Sequence, residues 1–224
     1  TINIKSKGDT TLRGADAHGN TINADIGGKL AIESLQDTAE QHSQESGGGV
    51  RVQVGIGNAW GVSGSGNVSI ASGDGTFTGV NQQSGLFAGN GGYHVKADTV
   101  DLKGGAITST NAANSDLTAN ALTFSDLENK SSYDTSSTTV SGSSQNSVAS
   151  NIAGNLGNVV NMLGNGQPTE ETSTTRATLT EGNITIGGTS TTAAATGINT
   201  DAANAHQALT ELPDIRALMA EQQA

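Results

Sequence analysis

The sequence predicts an all-β fold: a parallel β-solenoid with two excursions and a short C-terminal helix. Three observations carry that prediction. Between Ser84 and Thr110, three short runs (Tyr93–Lys96, Val100–Leu102 and Ala106–Thr108) alternate apolar with polar residues, the period of a strand with one buried face. Val95, Ala97, Val100 and Leu102 then return as Leu117, Ala119, Leu122 and Phe124, each 22 residues on, and polar Asp98 returns as Asn120. A fixed offset of that size, with glycine corners at Gly91-Gly92 and Gly104-Gly105, marks one coil stacked on the next. Finally, 31 of 224 residues are glycine, only 2 are proline and aromatics make up 3%. Hydrophobic residues are 33%, well below the usual share of about 45–50%. A narrow coil interior, filled by Ile, Val, Leu and Ala from neighbouring coils, needs no more. The expected core stacks Val95, Val100 and Leu102 beneath Leu117, Leu122 and Phe124.

Taken in order, residues 1–38 hold the first coils. Thr1-Ile2-Asn3-Ile4 is echoed by Thr21-Ile22-Asn23-Ala24 at an offset of 20, and Leu30-Ala31-Ile32 follows the corner at Gly27-Gly28. Residues 39–66 break the period. A polar run leads into Val50, Val52, Val54 and Ile56, an alternating strand, then Trp60 and a Gly/Ser turn. This reads as a hairpin or extended loop leaving the solenoid. Trp60, the single tryptophan, either packs that hairpin down or stands exposed as a contact residue. Coils resume over 67–129, with Phe77, Phe87 and Phe124 as the larger core residues.

Residues 130–182 form a second interruption, rich in Ser, Thr, Asn and Gly. Inside it Ile152, Leu156, Val159, Val160 and Leu163 fall at helical spacing. The glycines and asparagines among them are poor helix formers. A short helix or loop laid on the solenoid is one reading, and a membrane-active or partner-binding segment is the other. The coil signature returns at Gly182-Asn183-Ile184-Thr185-Ile186. Residues 1–199 are thus expected as one solenoid domain with insertions at 39–66 and 130–182. Residues 200–224 are expected as a helical linker toward a further C-terminal region, with Pro213 and Asp214 suited to a helix start.

Charge and motifs narrow the chemistry. The net charge of −11, with no basic cluster, argues against nucleic acid and against anchoring on anionic lipid. Without cysteine there is neither a disulfide framework nor thiolate chemistry. No apolar run approaches the ~20 residues of a spanning helix. Phosphate-loop and dinucleotide patterns fail. His18, His42, His94 and His206 are scattered, without metal-ligand spacing, and His94 lies on the polar phase of its strand. Solenoid polysaccharide hydrolases need converging carboxylates, and this sequence offers no such set. No catalytic, cofactor-binding or metal-binding residue is assigned.

The stretch VNQQSGLFAGNGGYHVKADTVDLKGGAITST, followed by LTFSDLENKSSY, resembles the haemagglutinin repeat of large two-partner-secretion exoproteins, the filamentous haemagglutinin and CdiA-type contact-dependent growth inhibition toxins. TTLRGADAHGNTINADIGGKLAIESLQDT resembles the unit preceding it there, and the two cover about residues 9–133. The GNITI return and Asp201–Ala205 resemble the end of the second haemagglutinin-repeat region. The resemblance implies a right-handed parallel β-helix on the surface of a Gram-negative bacterium. It also implies secretion through an outer-membrane partner transporter. Its contacts would be a target-cell or host surface, including the outer membrane of a target bacterium. The implied function is non-enzymatic: helping deliver a C-terminal toxin into a neighbouring bacterium. The alternative is a structural adhesin stalk on host or biofilm surfaces. Trp60, Ile152, Leu156, Val159, Val160 and Leu163 are the candidate interaction residues.

Overall fold

In a computed structural model of the chain, residues 1–54, 61–147, 157–159, 169–207 and 209 are described. The alternating runs are strands, and the fold is all-β. The strands are β1 (Ile2–Ser6), β2 (Thr10–Arg13), β3 (Asp16–Ile26), β4 (Lys29–Glu33), β5 (Gln36–Val54), β6 (Gly61–Val80), β7 (Gly85–Lys96), β8 (Thr99–Lys103) and β9 (Ala106–Thr108). There follow β10 (Asp116–Ala119), β11 (Ala121–Ser125), β12 (Leu127–Ser147), β13 (Gly157–Val159), β14 (Thr169–Thr175), β15 (Thr178–Leu179), β16 (Asn183–Ile186) and β17 (Thr189–Thr191). They form three sheets, and the pairing is mixed parallel and antiparallel.

The chain divides into two units. The first comprises Thr1–Thr38, Phe77–Ser131 and Glu171–Thr210. In its larger sheet, β1, β3, β7, β10 and β16 lie side by side, each pair parallel. In its smaller sheet, β2, β4, β8 and β11 do the same. The sequence offsets become registers: Val95 faces Leu117, Val100 faces Leu122 and Leu102 faces Phe124, while Ile2 faces Ile22. Side chains alternate across a strand, so each apolar phase forms a column. Ile4, Ala24, Val95, Leu117 and Ile184 make one column. Leu12, Ile32, Leu102 and Phe124 make another.

One hydrophobic core runs through this unit, with Ile22, Leu30, Ile32, Leu86, Leu102 and Leu117 each fully buried. Tyr93 is its largest fully buried side chain. Its hydroxyl donates to the Thr180 carbonyl at 2.5 Å, which satisfies the one polar atom the ring brings inside. Burial, the largest influence, pushes the phenol well above its usual range, and the nearby Glu181 charge acts in the same direction. Gly92, just before Tyr93, takes φ +75°, and a Cβ there would overlap the Asn114 carbonyl. Only glycine turns that corner without strain.

Phe124 corrects the expected core. Val95, Val100, Leu102 and Leu117 are buried and Leu122 is half-buried against the core, but Phe124 is 38% exposed. Strand β11 is the edge of the smaller sheet, so among the described residues no further strand covers its apolar phase.

The second unit comprises Ala39–Thr76, Ser132–Glu170 and Glu211–Ala224. The third sheet has the order β13-β12-β6-β5, with β14 beside β12. Residues 67–76, expected as coil, belong instead to β6 of this sheet. Within the unit, Ala71 is buried against Tyr133, and Ser72–Ser136 and Thr76–Ser132 hydroxyl pairs lie at 2.8 Å. Val159 sits in β13, antiparallel to β12 and opposite Ser141, rather than on a helix. Propensity explains the outcome: Gly157 and Asn158 disfavour a helix. At the C-terminal side the described structure is a 3₁₀ turn at Ala202–Asn204, with the Asp201 side chain accepting from the Ala203 N–H. The expected helix after Pro213 lies outside the described residues.

Candidate functional site

The larger sheet turns its polar phase outward. Register aligns Asn3, Asn23, His94, Asp116 and Asn183 in one row. The next row on the same face holds Lys5, Asp25, Lys96, Thr118 and Thr185. An open depression of about 460 Å³ lies on this face, its walls including Asn3, Lys5, Asn23, Asp25, His94 and Asp116.

Rung-to-rung bonds order the first row. The Asn23 amide donates to Asn3 Oδ1 at 2.8 Å. His94 Nδ1 bonds the Asp116 carboxylate, and His94 Nε2 lies 3.1 Å from the Gly91 carbonyl oxygen. Both partners are acceptors, so the arrangement favours the protonated imidazole, in which both ring nitrogens donate. The His94 pKa is accordingly raised, chiefly by the Asp116 hydrogen bond, while burial opposes. In that form both nitrogens are engaged with acceptors of the protein itself. The smaller sheet repeats the device on its outer phase, where Thr123 Oγ1 donates to Asp101 at 2.7 Å. At the corner between the sheets the Asn120 amide donates to Asp98 at 2.7 Å.

Such rows hold donors and acceptors at the spacing of adjacent strands, about 4.8 Å. They suit non-covalent contact with a polar partner. Among the described residues, no group of three or more His, Asp or Glu side chains comes together to hold a metal ion. No described helix is long and apolar enough to cross a membrane.

Of the predicted interaction residues, Trp60, Ile152, Leu156, Val160 and Leu163 lie outside the described residues, and Val159 is placed only as a member of β13. The polar rows were not predicted as a site. Their signal was present, since Asn3 and Asn23 repeat at the 20-residue offset and His94 and Asp116 at the 22-residue offset.

A second polar cluster, also within the first unit, gathers where the chain leaves for 39–76 and 132–170 and where it returns. Asn129 is 1% exposed. Its Oδ1 accepts from the Val80 N–H at 3.0 Å and from Gln36 at 3.2 Å. Its Nδ2 donates to Thr175 at 3.0 Å and to Ser173 at 3.2 Å. Gln83, also buried, donates to the carbonyls of Arg176 and Gly104 at 2.9 and 3.1 Å. Sequence reasoning passed over both residues, because an isolated Asn or Gln in a polar run carries no periodic signal.

Comparison with known proteins places the chain. A family model described as Hemagglutinin repeat matches residues 1–48. The chain is 34% identical over 192 residues to a deoxyribonuclease CdiA of Yersinia pseudotuberculosis serotype O:3, a match covering 83% of this chain and 17% of that protein. It is 36% identical over 193 residues to a tRNA nuclease CdiA of Escherichia coli O6:K15:H31, covering 83% of this chain and 6% of the relative. A toxin CdiA of Yersinia pestis is 34% identical over 192 residues, with 83% and 6% covered. The chain therefore spans a small part of each curated relative. No solved structure matches it. Parallel strands in 20- and 22-residue register and the match to the haemagglutinin repeat agree: the chain belongs to the family of filamentous haemagglutinin and CdiA-type two-partner-secretion exoproteins, secreted to the cell surface of Gram-negative bacteria.

Proposed function

We propose that this chain is a non-enzymatic segment of such an exoprotein, and that it helps a toxin borne elsewhere on the protein cross the outer membrane of a neighbouring bacterium. One observation carries the reading. The relatives share this segment at similar identity, yet one is named a deoxyribonuclease and another a tRNA nuclease. A segment common to proteins of different named activity is not where those activities differ, so its role is a shared one. The engagement of both His94 nitrogens supports a non-catalytic role.

In this reading neighbouring parallel strands of each sheet come from successive coils of a right-handed β-helix, the hand that parallel crossovers take in about 98% of cases. Repeating coils serve as spacer. Activity specific to the segment then belongs to what interrupts the period, residues 39–76 and 132–170. Trp60 and the apolar set Ile152, Leu156, Val159, Val160 and Leu163 are its contacts. No lysine or arginine lies between Ser131 and Thr175, so affinity for a free anionic bilayer is low and insertion follows contact with the target cell. An outer-membrane transporter exports the protein.

The test removes Ser143–Pro168 from the full-length exoprotein, which spares β14. Surface display should persist while killing of target cells falls. Killing at the wild-type level with normal display would sink the delivery role and leave a surface stalk, the adhesin reading.

A further inference from the structure

Four stems carry the chain out of the first unit and back. Gln36 opens the first departure and Val80 ends the first return. Asn129 lies on the second departure, and Ser173 and Thr175 lie on the second return. The Asn129 side chain joins all four, through Oδ1 to Val80 and Gln36 and through Nδ2 to Ser173 and Thr175.

A further segment lies across the last of these stems. The Arg176 N–H donates to the Ala205 carbonyl at 2.7 Å, and Ser173 Oγ donates to the Gln207 carbonyl at 2.7 Å. Between them Thr175 and His206 form a single antiparallel bridge, with Thr175 Oγ1 at 2.8 Å from His206 Nδ1. Thr175 is fully buried, and its hydroxyl oxygen already accepts from Asn129. Its proton is left with His206 Nδ1 as acceptor, which favours the tautomer carrying hydrogen on Nε2. Nε2 is buried, and no described residue pairs with it. Three features therefore hold the segment loosely. It rests on one bridge rather than a ladder. Ala205 and Leu209 are buried but lie outside the main core. The unmatched Nε2–H adds a desolvation cost.

We propose that Ala205, His206 and Gln207 are a strap over the root of both excursions, able to lift while the parallel sheets stay folded, and that its lifting loosens all four stems in one step. The Ser173 and Thr175 hydroxyls accept from Asn129 and donate to the strap, and hydrogen bonds linked in this way strengthen one another. With the strap lifted, water replaces both acceptors. Asn129 Nδ2 loses that reinforcement, and the Val80 N–H and the Gln36 amide held by Oδ1 loosen with it. Such local opening needs only part of the free energy of global unfolding. One short segment, downstream of residues 39–76 and 132–170, thus controls how firmly both are rooted. The strap acts in the same way whether those residues serve delivery or adhesion, so it is independent of the delivery reading.

The test is amide hydrogen exchange on the whole 224-residue chain. Three amides report: Arg176 for the strap, Val80 for the stems, and Ala97, which donates to the Thr118 carbonyl at 3.0 Å, for the parallel sheets. His206→Ala should speed exchange at Arg176 and Val80 alike, by about tenfold, the factor that losing one hydrogen bond gives. Ala97 should keep its wild-type rate. Gln207→Ala leaves the bonded carbonyl in place and should match wild type at all three. Acceleration at Arg176 without Val80 would overturn the coupling. Equal acceleration at Ala97, or none at Arg176, would overturn a separable strap. Should His206→Ala fail to fold, the wild type decides. In rising urea its Arg176 and Val80 amides should share one opening below the global transition, with Ala97 opening only in that transition. Separate openings for Arg176 and Val80, or a single opening for all three, would overturn the proposal.

Discussion

Leu102 tests whether the columns are stacked as described. It is fully buried, with Ile32 on one neighbouring strand and Phe124 on the other. Leu102→Ala removes side-chain volume between two rungs that are themselves bonded into their sheet, so the gap cannot collapse freely. The cost should lie in the range of about 2–5 kcal/mol found for buried Leu→Ala changes. With a mid-range urea slope of about 2 kcal/mol/M, that lowers the unfolding midpoint by about 1–2.5 M. The same truncation at the ends of the column should cost less. Phe124 is 38% exposed and should lose about 1–2 kcal/mol. Leu12, half-buried on edge strand β2, belongs with it. Lys103, one residue on, is 52% exposed and lies 3.6 Å from Glu33, an exposed pair whose loss costs about 1 kcal/mol or less. Urea titration of the four alanine variants reads the gradient, and amide exchange in β8 localises it. Equal losses at Leu102 and Phe124, or a Lys103 variant as damaged as Leu102→Ala, would refute the stacking argument.

Two further outcomes follow from the polar groups. Asn129→Ala strips the acceptor from the buried Val80 N–H, which should cost about 2–4 kcal/mol and speed exchange at that amide. A variant of wild-type stability would mean the cluster holds nothing in place. The raised pKa of His94 means that its bond to Asp116 stabilises the fold fully below the ordinary value of 6.5 and that the contribution is lost as pH rises through the folded-state value. The side chain is 37% exposed, so solvent screening keeps the effect small. Followed by NMR, Asp116→Asn should move the His94 titration back down toward 6.5, and an unmoved titration would remove Asp116 as the cause.

Much of the fold was legible because a repeat encodes its own register. Val95 and Leu117, or Ile2 and Ile22, are apolar at a constant offset, and alternation then decides which side chains turn inward. The polar rows follow from the same offsets, as Asn3 with Asn23 and His94 with Asp116 attest. Tertiary structure alone decided three things. Strand β3 stacks on β7, with Ala24 beside Val95 across the intervening excursion. Loop closure costs grow only slowly with length, so nothing local announces or forbids that pairing. Asn129 and Gln83 are buried because strands from distant parts of the sequence bring carbonyl and amide groups to them, a demand no single segment carries. Phe124 is exposed and β17 antiparallel for one reason. Alternation tells a side chain which face of its sheet to take, but whether a further strand lies beyond depends on where the stack stops.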